Sequence, residues 1–197
     1  MAGKHESHKS WSPATQLVHE GTLRSQFGET SEAVFLNSGY VYESAEQAEA
    51  RFKGDADGYV YSRYANPTVS MFEQRMCALE GAEAARGTAS GMAAVAASLL
   101  CQLKAGDHVV AGRALFGSCL YIVEDLLPRY GITSTLVDGG DLNAWEAAVT
   151  PNTKAFFFET PTNPVLDLVD IESVAKIAKG CGAVTIVDNV CATPLGQ

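Results

Sequence analysis

Ser90, Gly91 and Met92 stand where a short apolar pattern gives way to an alanine-rich helical pattern. The first backbone N–H groups of a helix have no partner inside the helix, and the helix dipole adds partial positive charge there. A glycine in that turn lets a ligand approach the backbone closely. The triplet therefore predicts an anion site, and an ordinary helix cap at Ser90 is the alternative interpretation.

Asp188 directly follows the apolar run of residues 183–187, which we interpret as a strand buried on both faces. Ligands of open α/β sheets collect at the carboxyl ends of such strands. A carboxylate in that position needs a partner, and a protonated pyridine nitrogen would be a suitable one. An aspartate that caps a helix is the competing interpretation.

Asn163 follows another apolar strand pattern and lies between Pro161 and Pro164. The prolines restrict the backbone, so the amide of Asn163 would point in a fixed direction and could donate to a ring oxygen. A plain turn would look the same.

Tyr61 and Arg63 belong to a segment dense in aromatic and basic residues, in a chain that is acidic overall. The planar guanidinium of Arg63 suits a phosphate group, and Tyr61 offers a hydroxyl. An exposed loop with local salt bridges is the alternative interpretation.

Composition narrows the class of protein. The 197 residues include 14 Lys and Arg against 23 Asp and Glu, a net charge of −9, which disfavours nucleic acid and anionic membranes as partners. Five dispersed cysteines are typical of reduced thiols, and the polar start has no apolar leader pattern, so we expect a cytoplasmic protein. The histidines, among them His5 and His8, sit apart from one another, so no metal site is expected.

Short apolar runs alternate with helical patterns along the chain, which predicts an α/β fold with a mostly parallel sheet and helices on both faces. Residues 1–43 are expected to be an extended arm, and residues 1–58 an arm with a short helix that contacts a partner, before a separate domain at 59–197. Helices are predicted at 44–54 and 66–81, capped by Ser44 and Asn66, and at 90–103, 117–130, 141–149 and 170–180. Strands are predicted at 83–86, 108–111, 133–137, 155–159 and 184–188.

Several of these motifs occur together in one family. The segments Tyr61-Ser-Arg63-Tyr-Ala-Asn-Pro-Thr, Ser90-Gly91-Met92-Ala-Ala, Leu-Phe116-Gly-Ser, Glu-Thr-Pro-Thr-Asn163-Pro and Val-Asp188-Asn occur at compatible spacings. From about residue 15 onward, the chain resembles the trans-sulfuration enzymes of cysteine and methionine metabolism, which depend on pyridoxal phosphate (PLP). The resemblance implies an aspartate-aminotransferase-like fold (fold type I), with residues 59–197 as the N-terminal part of its large PLP-binding domain. The C-terminal domain of that fold is absent from this chain.

The resemblance also implies roles for single residues. Ser90, Gly91 and Met92 would bind the PLP phosphate, and Asn163 would contact the 3-oxygen of the ring. Asp188 would pair with the ring nitrogen, and Phe116 would stack on the ring. Tyr61 and Arg63 would reach the phosphate bound by a second copy of the chain, so that a homodimer shares its active sites and dimers pair into a tetramer.

The segment of residues 21–42 is similar to the sulfhydrylase branch of the family. This implies γ-replacement on O-succinylhomoserine, or a related ester, with sulfide, giving homocysteine for methionine biosynthesis. Cystathionine γ-synthesis and methionine γ-lyase activity are the alternatives on the same fold. Many relatives have tyrosine where this chain has Phe116, so any scheme that uses that hydroxyl for proton transfer is in doubt here.

The Schiff-base lysine of the family is expected beyond Gln197, since none of the seven lysines follows the Ser/Thr-rich strand end where the family carries it. An inactive PLP-binding or assembly fragment is therefore a further alternative for this polypeptide. A nicotinamide dehydrogenase is disfavoured, because no GxGxxG motif opens the helix after the first predicted strand.

Overall fold

A computed structural model describes residues 10–197, so His5 and His8 lie outside the described residues. The chain divides into two compact units, one ending at Gly87 and the other spanning Thr88–Gln197. The predicted division after residue 58 stays a prediction. Within residues 10–197, no helix is both long enough and apolar enough to cross a bilayer.

The first unit contains the helices α1 (Pro13–His19), α2 (Ala45–Lys53) and α3 (Pro67–Glu80). The predicted caps form: the Ser44 hydroxyl accepts from the N–H of Gln47, and the Asn66 side chain accepts from the N–H of Thr68. Helix α1 lies inside the segment expected to be an extended arm. Its seven residues are too few to give a clear helical period in the sequence.

Arg75 of α3 fixes part of the preceding segment. Its guanidinium donates to the carboxylate of Glu32 over 3.0 Å and to the backbone oxygen of Glu20 over 3.1 Å. The Arg75 side chain thereby connects α3 to two positions in the segment before α2, Glu20 and Glu32.

The second unit alternates strands with helices. Its elements are α4 (Gly91–Leu100), β1 (His108–Gly112), α5 (Gly117–Tyr121), a π-helical segment (Ile122–Leu126), α6 (Leu127–Arg129), β2 (Thr133–Val137), α7 (Leu142–Ala147), β3 (Thr153–Glu159), α8 (Ile171–Gly180), β4 (Val184–Asp188) and α9 (Thr193–Gly196).

The four strands form one parallel sheet in the order β2-β1-β3-β4. Alternate residues of β1 and β3 enter two separate cores, as a pleated strand requires. Val109 and Phe157 pack with the helices that precede and follow β1, whereas Phe156 packs with Trp145 of α7 and with residues of α8. Helices therefore cover both faces, and the predicted fold class is confirmed.

The structure corrects three expectations. Residues 83–86 form no strand, because no segment within residues 10–197 pairs with them. The helix predicted at 117–130 contains the π-helical segment, since Pro128 has no N–H to give to the carbonyl four residues earlier. Strand β4 is only partly buried, because it is an edge strand of the described sheet and has a single neighbour.

Candidate cofactor site

A pocket of about 650 Å³ lies in the second unit at the carboxyl ends of β3 and β4, beside the N-terminus of α4. This volume is typical of pockets that bind small molecules. Its walls include every site residue predicted within this unit, namely Ser90, Gly91, Met92, Phe116, Asn163 and Asp188. The fold thus brings together side chains from four separate segments of the chain.

The N-terminus of α4 presents free backbone donors. The Ser90 hydroxyl caps the helix by accepting from the N–H of Ala93 over 3.1 Å. Among the hydrogen bonds of residues 10–197, the N–H groups of Gly91 and Met92 have no acceptor. A Cβ built on Gly91 would meet no atom within 4 Å, so the approach to these donors is open. The cap and the free donors occur together, so the two interpretations of this turn are compatible.

Asp188 ends β4, and its carboxylate has two partners in the protein. One oxygen accepts from the backbone N–H of Val190 over 3.1 Å, and the other lies 3.8 Å from the thiol of Cys119. A carboxylate can accept more hydrogen bonds than these two, so it keeps capacity for a cationic or N–H partner in the pocket.

Cys119 is almost fully buried below Asp188. Burial, together with the neighbouring carboxylates of Asp188 and Glu159, raises the pKa of the Cys119 thiol to about 12. The thiol therefore remains protonated at neutral pH and donates to Asp188.

Glu159 ends β3 and is 1% exposed. One carboxylate oxygen accepts from the N–H of Phe116 over 2.7 Å, and the other accepts from the N–H of Asn163 over 3.1 Å. Burial raises the pKa of Glu159, and so does the charge of Asp188, whereas the two N–H donors oppose this shift.

The Phe116 and Asn163 side chains remain available to a ligand. Phe116 is 45% exposed at the start of α5, and its ring forms part of the pocket wall. The Asn163 amide group has no hydrogen bond to any of residues 10–197. A flat apolar face and an amide therefore stand in the same pocket as Asp188.

Tyr61 and Arg63 belong to the first unit, and they are not among the residues that line this pocket. They line a cleft of about 580 Å³ within their own unit. The Arg63 guanidinium lies 5.4 Å from the Tyr61 ring centre and 5.2 Å from that of Tyr64. Both Tyr61 and Arg63 are exposed.

Sequence reasoning missed the contributions of Glu159 and Cys119. Glu159 was predicted only as the last residue of the strand at 155–159 and was given no role, although it follows an apolar run just as Asp188 does. Cys119 had no local signal, because its contact with Asp188 joins residues 69 positions apart.

Within residues 10–197, no three His, Cys, Asp or Glu side chains are grouped so that they could hold a metal ion.

Comparisons with known proteins agree with this geometry. A model of the Cys/Met metabolism PLP-dependent enzyme family matches residues 14–197. The chain is 56% identical over 186 residues to O-succinylhomoserine sulfhydrylase of Mycobacterium tuberculosis, an alignment that covers 94% of this chain and 46% of the relative. It is 41% identical over 182 residues to L-methionine gamma-lyase of Porphyromonas gingivalis, covering 92% and 46% respectively.

A crystal structure from Campylobacter jejuni, described as an O-acetylhomoserine (thiol)-lyase with N′-pyridoxyl-lysine-5′-monophosphate, superimposes with a TM-score of 0.89. It is 34% identical, and the match covers 93% of this chain and 45% of that one. The chain thus spans about half the length of the relatives it matches, and the expected fold type I is confirmed. The chain belongs to the Cys/Met metabolism PLP-dependent enzyme family, and its cofactor is pyridoxal phosphate.

Proposed function

We propose that this chain is the cofactor-binding part of an enzyme that replaces the γ-substituent of O-succinylhomoserine with sulfide to give homocysteine. The observation that carries the proposal is the single pocket in which the free donors of α4, the Phe116 ring, the Asn163 amide and Asp188 converge. The sulfhydrylase assignment is supported by the 56% identity to a relative of that name.

The donor set of the pocket fits the polar groups of PLP. The N–H groups of Gly91 and Met92, at the positive end of α4, suit the phosphate, and the Ser90 hydroxyl lies beside them. The Asp188 carboxylate suits the ring nitrogen and the Asn163 amide suits the 3-oxygen, while the flat face of Phe116 suits the ring itself.

PLP, when bound, supplies an electron sink that stabilises negative charge on the substrate. In this proposal, the part of Asp188 is to keep a proton on the ring nitrogen, because a carboxylate stabilises the cationic form of that nitrogen. The Cys119 thiol holds the Asp188 carboxylate in place from the buried side. Phe116 has no hydroxyl and takes no part in proton transfer.

Two groups of the proposed site lie outside this pocket. The Schiff-base lysine is expected from sequence beyond Gln197, in agreement with relatives about twice as long as this chain. Tyr61 and Arg63 would bind the phosphate of the PLP held by a second copy of the chain, which requires at least a homodimer. A chain without that lysine would bind PLP without carrying out the reaction.

Methionine γ-lyase activity is the second candidate, and the 41% identity to a relative of that name supports it. Cystathionine γ-synthesis is a third outcome on the same fold. Three assays distinguish these activities. O-succinylhomoserine with sulfide tests the sulfhydrylase, O-succinylhomoserine with cysteine tests cystathionine γ-synthesis, and methionine alone tests the γ-lyase. We expect homocysteine formation from O-succinylhomoserine and sulfide to be the fastest of the three.

Asp188→Asn in the full-length protein tests the site itself. We expect PLP still to bind but turnover to fall roughly 10- to 150-fold, which corresponds to a charge-assisted hydrogen bond of about 1.5–3 kcal/mol. Asp125→Asn makes the same chemical change at an exposed position outside the pocket and should leave turnover unchanged. Wild-type turnover in Asp188→Asn would refute the role given to Asp188.

A further inference from the structure

We propose that Glu159 is a positioning residue: its one buried carboxylate holds the two pocket segments that carry Phe116 and Asn163 in a fixed relation to each other. The inference depends on the proposed function only for the identity of the ligand, PLP. Glu159 itself would not need to touch that ligand.

Both carboxylate oxygens of Glu159 are used, and each serves a different segment. The N–H of Phe116, 2.7 Å from one oxygen, belongs to the connection between β1 and α5. The N–H of Asn163, 3.1 Å from the other, belongs to the connection between β3 and α8. The two donors lie 47 positions apart in sequence, and a single rigid group joins them.

The Phe116 backbone is held on both sides of its side chain. Its N–H donates to Glu159, and its carbonyl accepts from the N–H groups of Cys119 and Leu120 in the first turn of α5. These bonds fix the backbone of Phe116, and so the direction in which its Cα–Cβ bond leaves the chain. Without the Glu159 bond, only the α5 side would remain.

The same strand end also aligns Asp188. Glu159 and Asp188 are register partners in the parallel pair of β3 and β4. The next residue, Thr160, donates its N–H to the backbone oxygen of Asp188 over 3.2 Å. Three residues carry the side chains assigned to the PLP ring: Phe116, Asn163 and Asp188. The backbone of each is therefore hydrogen-bonded to Glu159 or Thr160 at the carboxyl end of β3.

A carboxylate with a purely structural role would not need to bind residues of the pocket wall. A buried carboxylate is costly unless it is well paired, and burial and the charge of Asp188 both act against ionised Glu159. The two backbone donors offset part of this cost. Both donors belong to residues whose side chains face the pocket, which is the feature that points to positioning.

Glu159→Gln tests the proposal in the full-length protein, because glutamine has the same shape but only one acceptor oxygen. One of the two N–H groups then faces an NH2 group, and one segment is released. We expect the dissociation constant for PLP to rise about tenfold, in line with the loss of one hydrogen bond to a charged group. The visible circular dichroism of bound PLP should weaken, while the far-ultraviolet spectrum of the PLP-free protein stays the same.

Glu20→Gln is the matched control, since Glu20 is also buried but lies in the first unit and does not line the pocket. It should leave the affinity for PLP and the visible circular dichroism unchanged. Glu159→Asp keeps the charge but is too short to reach both donors, so it should show the same losses as Glu159→Gln. It also serves as the test if the glutamine variant does not fold.

A double-mutant cycle separates positioning from general support of the fold. If Glu159 acts through the stacked ring, Glu159→Gln should affect PLP binding less in a Phe116→Leu background than in the wild type. Strictly additive effects, or unchanged affinity and ellipticity in both Glu159 variants, would overturn the proposal. Failure of the wild-type protein to bind PLP would instead refute the proposed function.

Discussion

Cys119 illustrates how burial and charge act on one side chain of the pocket. Its thiol is 1% exposed and lies 3.8 Å from the carboxylate of Asp188. Burial is the main reason that its pKa rises from 9.0 to about 12, and the charges of Asp188 and Glu159 add to the effect. The result is a thiol that donates a hydrogen bond rather than a nucleophilic thiolate.

We therefore predict that Cys119 resists alkylation by iodoacetamide at pH 8. Three pKa units correspond to about 1000-fold less thiolate at a given pH, and burial hinders the reagent as well. Exposed Cys101 is the internal comparison and should react much faster. Mass spectrometry after timed labelling, with a second labelling of the unfolded protein, measures both rates. Alkylation of Cys119 at the rate of Cys101 would contradict the buried position.

At the scale of the elements, His108 joins three strands of the sheet. It opens β1, and its two ring nitrogens lie 2.9 Å from the hydroxyls of Thr153 in β3 and Thr135 in β2. Burial lowers the pKa of His108, so the ring stays neutral to a lower pH in the folded protein than in the unfolded chain. The ring serves as a polar link between β1 and both of its neighbours.

This link predicts a loss of stability on the acid side. As the pH falls below 6.5, the unfolded chain binds a proton at His108 that the folded chain does not, so the unfolding free energy decreases by up to about 1.4 kcal/mol per pH unit. In His108→Gln this part of the pH dependence should disappear, although the variant is less stable at pH 7.5. Thermal unfolding between pH 5.5 and 7.5 measures the difference.

His19→Gln is the control for that experiment, because His19 is exposed in α1 of the first unit. It should unfold with the same pH dependence as the wild type. An unchanged pH dependence in His108→Gln would mean that His108 is protonated equally well in the folded and unfolded chains.

At the scale of the whole molecule, the role proposed for Arg63 would make the site a property of a homodimer. Arg63 belongs to the first unit, whereas the pocket is lined by residues of the second. In the proposed homodimer, the Arg63 of one copy would bind the phosphate held by the other. A site of this kind is complete only in the assembly.

Mixing two impaired variants, Arg63→Ala and Asp188→Asn, tests this shared site. Arg63→Ala should weaken PLP binding roughly 10- to 150-fold, the equivalent of a charge-assisted bond of about 1.5–3 kcal/mol. In a hybrid dimer with Asp188→Asn, one site carries both defects and the other carries neither. After subunit exchange, about a quarter of wild-type turnover should return, since half of the dimers are hybrids with one intact site each. No recovery despite verified exchange would place Arg63 in the site of its own chain.

The sequence by itself determined the features that depend on neighbouring residues. The caps at Ser44 and Asn66, and the four strands of the sheet, lie where local patterns predicted them. The motifs around Ser90, Asn163 and Asp188 also identified the family and its cofactor, because residue types and spacings can be recognised without coordinates. Hydrogen bonds of caps join residues only two or three positions apart, so they leave a signature in the sequence.

Only the tertiary structure decided which distant groups meet. The register of β3 and β4 places Glu159 beside Asp188, and the packing of α5 places Cys119 below that pair. The same holds for a failed prediction: the strand predicted at residues 83–86 has no pairing partner within residues 10–197. A strand and a buried carboxylate both depend on donors and acceptors far away in sequence, and no local pattern specifies where those donors and acceptors will lie.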